Sequence, residues 1–143
     1  MLPQPVRLYF GHPVNVFNTP LEADLVQRIS RAFPLHLIEN PNQPLHEEGY
    51  QRLKSACGNG MKYYYEHVLP TCVGGVFLPF RDGAWSMGTY SEATWFLSHH
   101  LSVWRVSWDG VIMPLCDLKD QRVLSIEETR SRVRDADGAT LPF

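Results

Sequence analysis

Residues 72–78, with the sequence CVGGVFL, form a nearly continuous apolar run, and this run indicates the class of the fold. Such a run without polar alternation is typical of a central parallel strand that is buried on both faces. The pair Gly74-Gly75 leaves the middle of this strand without side chains, so we expect another element to pack closely against it. Residues 72–78 are therefore the predicted centre of a covered sheet.

Upstream of this run, the sequence predicts two more strands and three helical pieces. Residues 6–10 (VRLYF) and 35–38 are β-prone, and the first of these stretches stops at Gly11. Residues 20–33 carry apolar side chains at helical spacing, with Thr19 as the N-cap and Pro20 at the first helical position. Residues 46–68 are predicted to be helical in two pieces, split near the glycines of 58–60.

Downstream, the predicted order is a loop, a helix, one or two strands, a last helix and an extended tail. The corresponding ranges are 79–88, 89–100, 101–106, 110–115, 125–134 and 135–143. Strands and helices alternate without a repeat or a long linker. The chain is thus predicted to be one domain over 1–143, a three-layer α/β/α sandwich around a mostly parallel, flavodoxin- or Rossmann-like sheet of about five strands.

Composition excludes several classes of protein. The formal net charge is −2, and no cluster of Lys and Arg is available to contact the phosphates of a nucleic acid. No nucleic-acid partner is therefore expected. Cys57, Cys72 and Cys116 are odd in number and widely spaced, which fits neither a zinc pattern nor a disulfide framework. With no signal-peptide pattern and no apolar stretch of about 18 residues, we expect a cytoplasmic protein without a membrane partner.

The predicted binding crevice lies beyond the carboxyl ends of the strands, where open α/β sheets hold ligands. A helix that starts near Gly88 and Thr89 offers free N–H groups to an anion or a sugar, and Glu92 can lean back toward the same opening. Asp82 lies just upstream. Two carboxylates in one crevice suit glycosidic bond cleavage, although a first-turn Glu can also be a mere dipole partner and an Asp-Gly pair a mere turn.

The stretches LYFG at 8–11 and GTYSEA at 88–93 resemble the two motifs of the nucleoside 2-deoxyribosyltransferase family. The resemblance spans roughly residues 6–106. It implies a pentosyltransferase of nucleotide salvage that exchanges the base of 2′-deoxynucleosides, with retention, through a deoxyribosyl-Glu92 intermediate. It also implies nucleosides and free nucleobases as small-molecule partners, a homo-oligomer (dimer or higher), and neither a metal nor an organic cofactor.

The resemblance assigns roles residue by residue. Glu92 is the nucleophile that attacks C1′, Tyr9 touches the sugar or orients Glu92, and Asp82 holds or protonates the base. Asp82 stands six residues before Gly88, farther than the family pattern, so Trp85 in the intervening stretch is an alternative that stacks on the base. The predicted substrate-binding residues are Gly11, His12, Phe17, Trp85, Gly88 and Thr89.

Some of these expectations compete with plainer ones. His12 is more readily explained as a surface histidine, and the arginines of 130–134 as the solvated face of the last helix. The tail 141–143 is a candidate to close the pocket of a neighbouring subunit, as the C-terminus does in the family.

Two alternative functions remain open from the sequence. An N-glycosidase would let water finish the reaction, on nucleosides or on nucleoside 5′-monophosphates. Phosphate recognition needs several donors, which Ser86, Ser91, His12 and Arg81 offer. A non-catalytic nucleotide-sensing module would bind its ligand without turnover and be indifferent to Glu92→Gln.

Overall fold

In the computed structural model, which describes residues 5–143, five strands form one sheet. They are β1 (Val6–Gly11), β2 (His36–Glu39), β3 (Gly74–Phe77), β4 (Ser102–Val106) and β5 (Ile112–Leu115). The order is β2-β1-β3-β4-β5, with β3 at the centre, and only β5 runs antiparallel to its neighbour. The link from β4 to β5 is a tight turn at Gly110, too short for the crossover that a parallel pair requires.

The α-helices of the described chain are α1 (Pro20–Ala32), α2 (Pro44–Cys57), α3 (Met61–Tyr63), α4 (Met87–Ser98) and α5 (Ile126–Val133). The short α3 opens an irregular helical segment, residues 61–71, which continues through a π-helical turn (Tyr64–Val68) and a 3-10 turn (Leu69–Thr71). Thr19 caps α1 and Pro20 opens it, as the sequence predicts. Ser125 and Glu128 form a reciprocal capping box on α5.

Alternation along the strands divides the core between the two faces of the sheet. Phe10 and Val76 face one side and pack with Leu25 of α1. Tyr9 and Phe77 face the other side, where α4 and the segment 61–71 cover them; the buried residues there include Leu69, Phe96 and Val103. The prediction of an α/β fold with a mostly parallel five-stranded sheet between helical layers is confirmed.

The glycine pair of β3 is required by close packing. A Cβ atom at Gly74 would lie 2.6 Å from the carbonyl oxygen of Ser102, and one at Gly75 would lie 2.6 Å from the ring of Phe77. All four residues of β3 are buried, which agrees with the apolar run. The predicted extended tail is only partly right, because a bridge between Arg134 and Thr140 folds residues 134–140 into a turn.

No helix of the described chain is both long enough and apolar enough to cross a membrane.

Candidate functional site

A cavity of about 530 Å³ opens at the carboxyl ends of β1 and β3. Tyr9 and Glu92 lie at its floor, and the loop after β1 forms part of its rim. One wall comes from α2 and the start of the segment 61–71, and the opposite wall from α5 and the N-terminus of α4. The wall residues are Glu47, Tyr50, Gln51, Lys54, Met61 and Tyr64 on the first side, and Ser86, Gly88, Thr89, Ile126, Thr129, Arg130, Val133 and Arg134 on the second.

The carboxyl group of Glu92 is the most unusual group in this cavity. Glu92 is only 6% exposed, and the Tyr9 hydroxyl donates a hydrogen bond to its Oε2 atom. Burial raises the pKa of Glu92 to about 8, against the lowering effect of the Tyr9 hydrogen bond. The Oε1 atom accepts no hydrogen bond from any described residue. It is therefore the oxygen left for a ligand.

Tyr9 is held rigidly beneath the cavity by aromatic packing. Its ring centroid lies 6.0 Å from that of Phe77 and 6.2 Å from that of Phe96. Burial, followed by the charge of Glu92, raises the pKa of the Tyr9 hydroxyl well above its usual value. Tyr9 therefore stays protonated and orients the Glu92 carboxyl as a donor, one of the two roles that the resemblance implied.

The N-terminus of α4 points into the same cavity. Ser86 caps the helix by accepting from the Thr89 N–H at 3.3 Å, and the Met87 N–H donates to the Thr129 hydroxyl of α5 at 3.0 Å. A Cβ atom at Gly88 would meet nothing within 4 Å, so the helix end is open on this side. Gly88, Thr89 and Glu92 are thus brought together, with the positive end of the helix dipole facing the cavity.

His12 lines the cavity, but its ring nitrogens are already engaged. Nδ1 lies 3.0 Å from the Phe10 carbonyl oxygen and Nε2 lies 2.8 Å from Glu22 Oε2. The ring also stacks on Phe10 and contacts Phe17, another residue of the lining. His12 is buried, so the interpretation as a surface histidine is wrong. Its nitrogens hold the rim in place and are not free for a phosphate.

Glu22 completes this buried group beside the rim. Burial opposes its charged form, but hydrogen bonds from His12 and Asn42 outweigh burial and lower the pKa of Glu22. Asn42 donates to both Glu22 oxygens, at 3.0 and 3.2 Å, and so ties the loop after β2 to the start of α1. The rim is therefore fixed by charge-assisted hydrogen bonds. Gly11 lies just below it at the end of β1, where a Cβ atom would lie 2.5 Å from the Phe77 ring.

Asp82 lies outside the cavity, contrary to the sequence prediction. Its turn, with Gly83 at φ +88°, directs the carboxylate toward α5. There Arg132 donates two hydrogen bonds, at 2.9 and 2.8 Å, and Arg122 donates one at 2.7 Å. The Arg132 hydrogen bonds hold the pKa of Asp82 well below its usual range. Asp82 can neither hold nor protonate a base above Glu92.

Trp85 is fully buried, at 0% exposure, and cannot stack on a ligand. Its indole N–H donates to Gln121 at 3.0 Å, and its backbone pairs with Arg122 and Leu124. The insertion before Gly88 therefore anchors the segment that leads into α5.

Two of the four predicted phosphate donors also lie elsewhere. Ser91 contacts Met87, and Arg81 packs over the rings of Trp108 and Phe143. Phe143 itself stacks on Phe80 of its own chain, away from the cavity. Of the predicted donors, Ser86 and His12 line the cavity.

Sequence reasoning missed most of both walls. On α2 the lining residues 47, 50, 51 and 54, and on α5 the residues 126, 129, 130 and 133, follow the helical spacing of one face. These faces are largely polar, so they look like ordinary solvated surfaces in the sequence. The arginines of α5 divide: Arg130 and Arg134 line the cavity, whereas Arg132 binds Asp82.

This arrangement can bring a buried carboxyl group against an electrophilic carbon in an open, partly aromatic cavity. Within residues 5–143, no group of three or more His, Cys, Asp and Glu side chains is arranged to hold a metal ion. Comparisons of the chain with protein-family models, with curated proteins and with solved structures find no match.

Proposed function

We propose that the protein is a nucleoside 2′-deoxyribosyltransferase, which exchanges the base of a 2′-deoxynucleoside through a covalent bond to Glu92. The observation that carries this proposal is the Glu92 carboxyl group, buried at the cavity floor with one oxygen held by Tyr9 and the other unengaged. A carboxylate placed below a sugar ring stabilises the positive charge of an oxocarbenium-like transition state and then captures C1′.

The reaction balances without any further group. Glu92 Oε1 forms a bond to C1′ while the C1′–N bond breaks, and the base leaves with the electron pair and takes a proton from water. A second base then attacks C1′ from the face that the first base left. Its N–H proton goes to solvent and Glu92 is released, so the configuration at C1′ is retained. A sugar without a 2′-hydroxyl forms the cation more readily.

The dimensions and lining of the cavity fit this substrate. About 530 Å³ lies in the range of sites that hold drug-sized ligands, which includes nucleosides. With the sugar above Glu92, the tyrosine-bearing α2 side suits the flat base, and the α5 side is left for the 5′ end. Phe17 and Val14 add apolar surface at the rim.

The leading proposal is tested by base exchange. The purified protein is incubated with deoxyadenosine, deoxyinosine or thymidine, with and without a second free base, and the products are separated by chromatography. We expect a new deoxynucleoside only when the second base is present, and none with Glu92→Ala. Turnover that is unchanged by Glu92→Ala would contradict the proposal, and tight binding without turnover would favour a nucleotide-sensing module.

A second candidate, an N-glycosidase of deoxynucleoside 5′-monophosphates, is favoured by the cations of the lining. Arg130 and Lys54 form no ion pair with any residue in 5–143, and Arg134 lies one helical turn beyond Arg130. On this second proposal, Arg130 and the N-terminus of α4 bind the phosphate while water attacks the deoxyribosyl-Glu92 intermediate.

The two candidates differ in substrate and in acceptor. The hydrolase predicts free base and free sugar phosphate at a rate independent of added base. It also predicts that Arg130→Ala raises KM for the monophosphate and leaves KM for the nucleoside unchanged. A homo-oligomer, dimer or higher, belongs to the transferase proposal, and light scattering of the full chain tests it.

A further inference from the structure

Three consecutive tyrosines in the segment 61–71 have three different surroundings. The Tyr63 hydroxyl lies 2.8 Å from Nδ1 of His46, in a buried group away from the cavity. Tyr65 lies beside Ser91 of α4. Only Tyr64 of the three lines the cavity. A π-helical turn begins at Tyr64, and irregularities of this kind recur at functional sites.

The ring of Tyr64 is fixed in the cavity wall. It is half-buried, and its centroid lies 5.4 Å from that of Tyr63, edge to face, and 6.4 Å from that of Tyr50. Its hydroxyl forms no hydrogen bond with any residue of the described chain. Burial, then the charges of Glu92 and Glu47, raise the pKa of Tyr64 well above its usual value, so the hydroxyl remains a proton-bearing donor.

A hydrogen-bond donor beside the departing base would lower the barrier of the proposed reaction. As the C1′–N bond breaks, negative charge develops on the departing base. Asp82 cannot stabilise it, because Asp82 lies outside the cavity and is bound by Arg132 and Arg122. Every nucleobase carries an acceptor next to its glycosidic nitrogen, O2 in pyrimidines and N3 in purines, and this acceptor takes up part of the charge.

Resting on the proposed function, we infer that the Tyr64 hydroxyl donates a hydrogen bond to this acceptor as the base departs. Tyr64 keeps its proton throughout, and the released base is protonated by water. Because O2 and N3 occupy equivalent positions, the same donor serves both base classes.

The test combines removal of the donor with removal of the acceptor. We would measure kcat/KM for 2′-deoxyadenosine and for 3-deaza-2′-deoxyadenosine, which has a C–H group in place of N3, with the wild-type protein and Tyr64→Phe. The variant loses only one oxygen, so the ring contacts with Tyr50 and Tyr63 are kept. We expect Tyr64→Phe to lower kcat/KM about 10- to 100-fold for deoxyadenosine and less than about threefold for the 3-deaza analogue.

Tyr65→Phe is the matched control, because Tyr65 also feels the charge of Glu92 but does not line the cavity. It should change neither rate by more than about twofold. Equal losses of kcat/KM for both substrates in Tyr64→Phe, or no loss for deoxyadenosine, would overturn the inference about Tyr64. The proposed function would still stand if Glu92→Ala is inactive. If the wild type turns over neither substrate, or Glu92→Ala retains activity, the proposed function fails and the inference falls with it.

Discussion

Glu92 and Asp82 are ten residues apart in the sequence, yet the fold gives their carboxyl groups opposite surroundings. Glu92 is buried, meets one neutral donor and has its pKa raised to about 8. The Asp82 side chain is 45% exposed, meets two guanidinium groups and has its pKa lowered. Glu92 forms no ion pair with any described residue, whereas Asp82 is paired with two arginines at the surface.

This difference distinguishes a carboxyl group that is available to a ligand from one that stabilises the fold, and the sequence motifs do not make that distinction. A carboxylate that is already bound by arginines has little left to offer a ligand, and its pairs stabilise the turn that carries it. A buried carboxyl group without an ion-pair partner is costly to the folded state, and groups with such strongly shifted pKa values cluster at functional sites. The comparison therefore supports Glu92, and not Asp82, as the carboxyl group of the proposed reaction.

The largest expected effect is the loss of activity on removing the Glu92 carboxyl group. Glu92→Ala should lower kcat for deoxynucleoside turnover by at least about 10³-fold, because the covalent intermediate can no longer form. Asp82→Ala, the matched change in the other environment, should leave kcat within about threefold of the wild type. Steady-state kinetics on the same substrate measures both. Comparable losses in the two variants would erase the distinction drawn between the two carboxyl groups.

The second effect is a gain in stability: replacing the Glu92 carboxyl group, which abolishes activity, should stabilise the folded protein at alkaline pH. Since folding raises the pKa of Glu92, the wild-type protein loses stability as pH rises from the unfolded-state value toward about 8. Glu92→Gln carries no such charge. It should be more stable than the wild type by about 2–4 kcal/mol at alkaline pH, and nearly equal at a pH below the pKa of an unfolded glutamate.

Urea unfolding of the wild type and Glu92→Gln across this pH range measures that difference. A difference in free energy of unfolding that stays constant with pH would show that folding does not raise the pKa of the Glu92 carboxyl group.

The third effect concerns the hydrogen bond from Tyr9. In the proposed reaction the carboxylate form of Glu92 is the nucleophile, so kcat/KM should rise with pH around a midpoint of about 8. The Tyr9 hydroxyl lowers the pKa of Glu92, so Tyr9→Phe should move the midpoint to higher pH and reduce activity at neutral pH about tenfold. A pH–rate profile of both proteins decides this. A fall in rate with an unmoved midpoint would instead indicate that Tyr9 acts on the sugar alone.

The smallest effect is expected at the surface cluster. Folding lowers the pKa of Asp82, so its ion pairs contribute stability above the pKa of an unfolded aspartate and lose it as pH falls through the acid range. Because the pair is half exposed and screened by solvent, Asp82→Asn should cost only about 1 kcal/mol at neutral pH, and less in high salt. Thermal unfolding at two salt concentrations tests this, and a salt-independent loss would be inconsistent with ion pairing.

Local patterns predict most of the fold. The apolar run at 72–78, the Thr19-Pro20 helix start and the Ser125 cap each depend on neighbouring residues, and each is found close to its predicted bounds. The π-helical turn at Tyr64–Val68 is an exception, because nothing in its sequence distinguishes it from a regular helix. The antiparallel direction of β5 follows from a turn whose geometry the sequence alone left open.

Only the site residues that belong to the two sequence motifs were predicted correctly as a group. Tyr9, Gly88, Thr89 and Glu92 meet because β1 and the start of α4 lie at the same edge of the sheet. The locations of Asp82 and Trp85 depend on Arg132 and Gln121, 50 and 36 residues away along the chain. No local pattern encodes such contacts. For the same reason the sequence did not reveal that α2 and α5 form the walls of the cavity.

Capture of the deoxyribosyl-enzyme would test most directly whether Glu92 is the nucleophile. The protein would be mixed with a deoxynucleoside in the absence of acceptor base, quenched in acid within a single turnover, digested and examined by mass spectrometry. We expect one added deoxyribosyl group on the peptide that contains Glu92. This adduct should disappear when an acceptor base is added before the quench, and it should be absent from Glu92→Gln. Turnover without this adduct, or an adduct on another residue, would contradict Glu92 as the nucleophile.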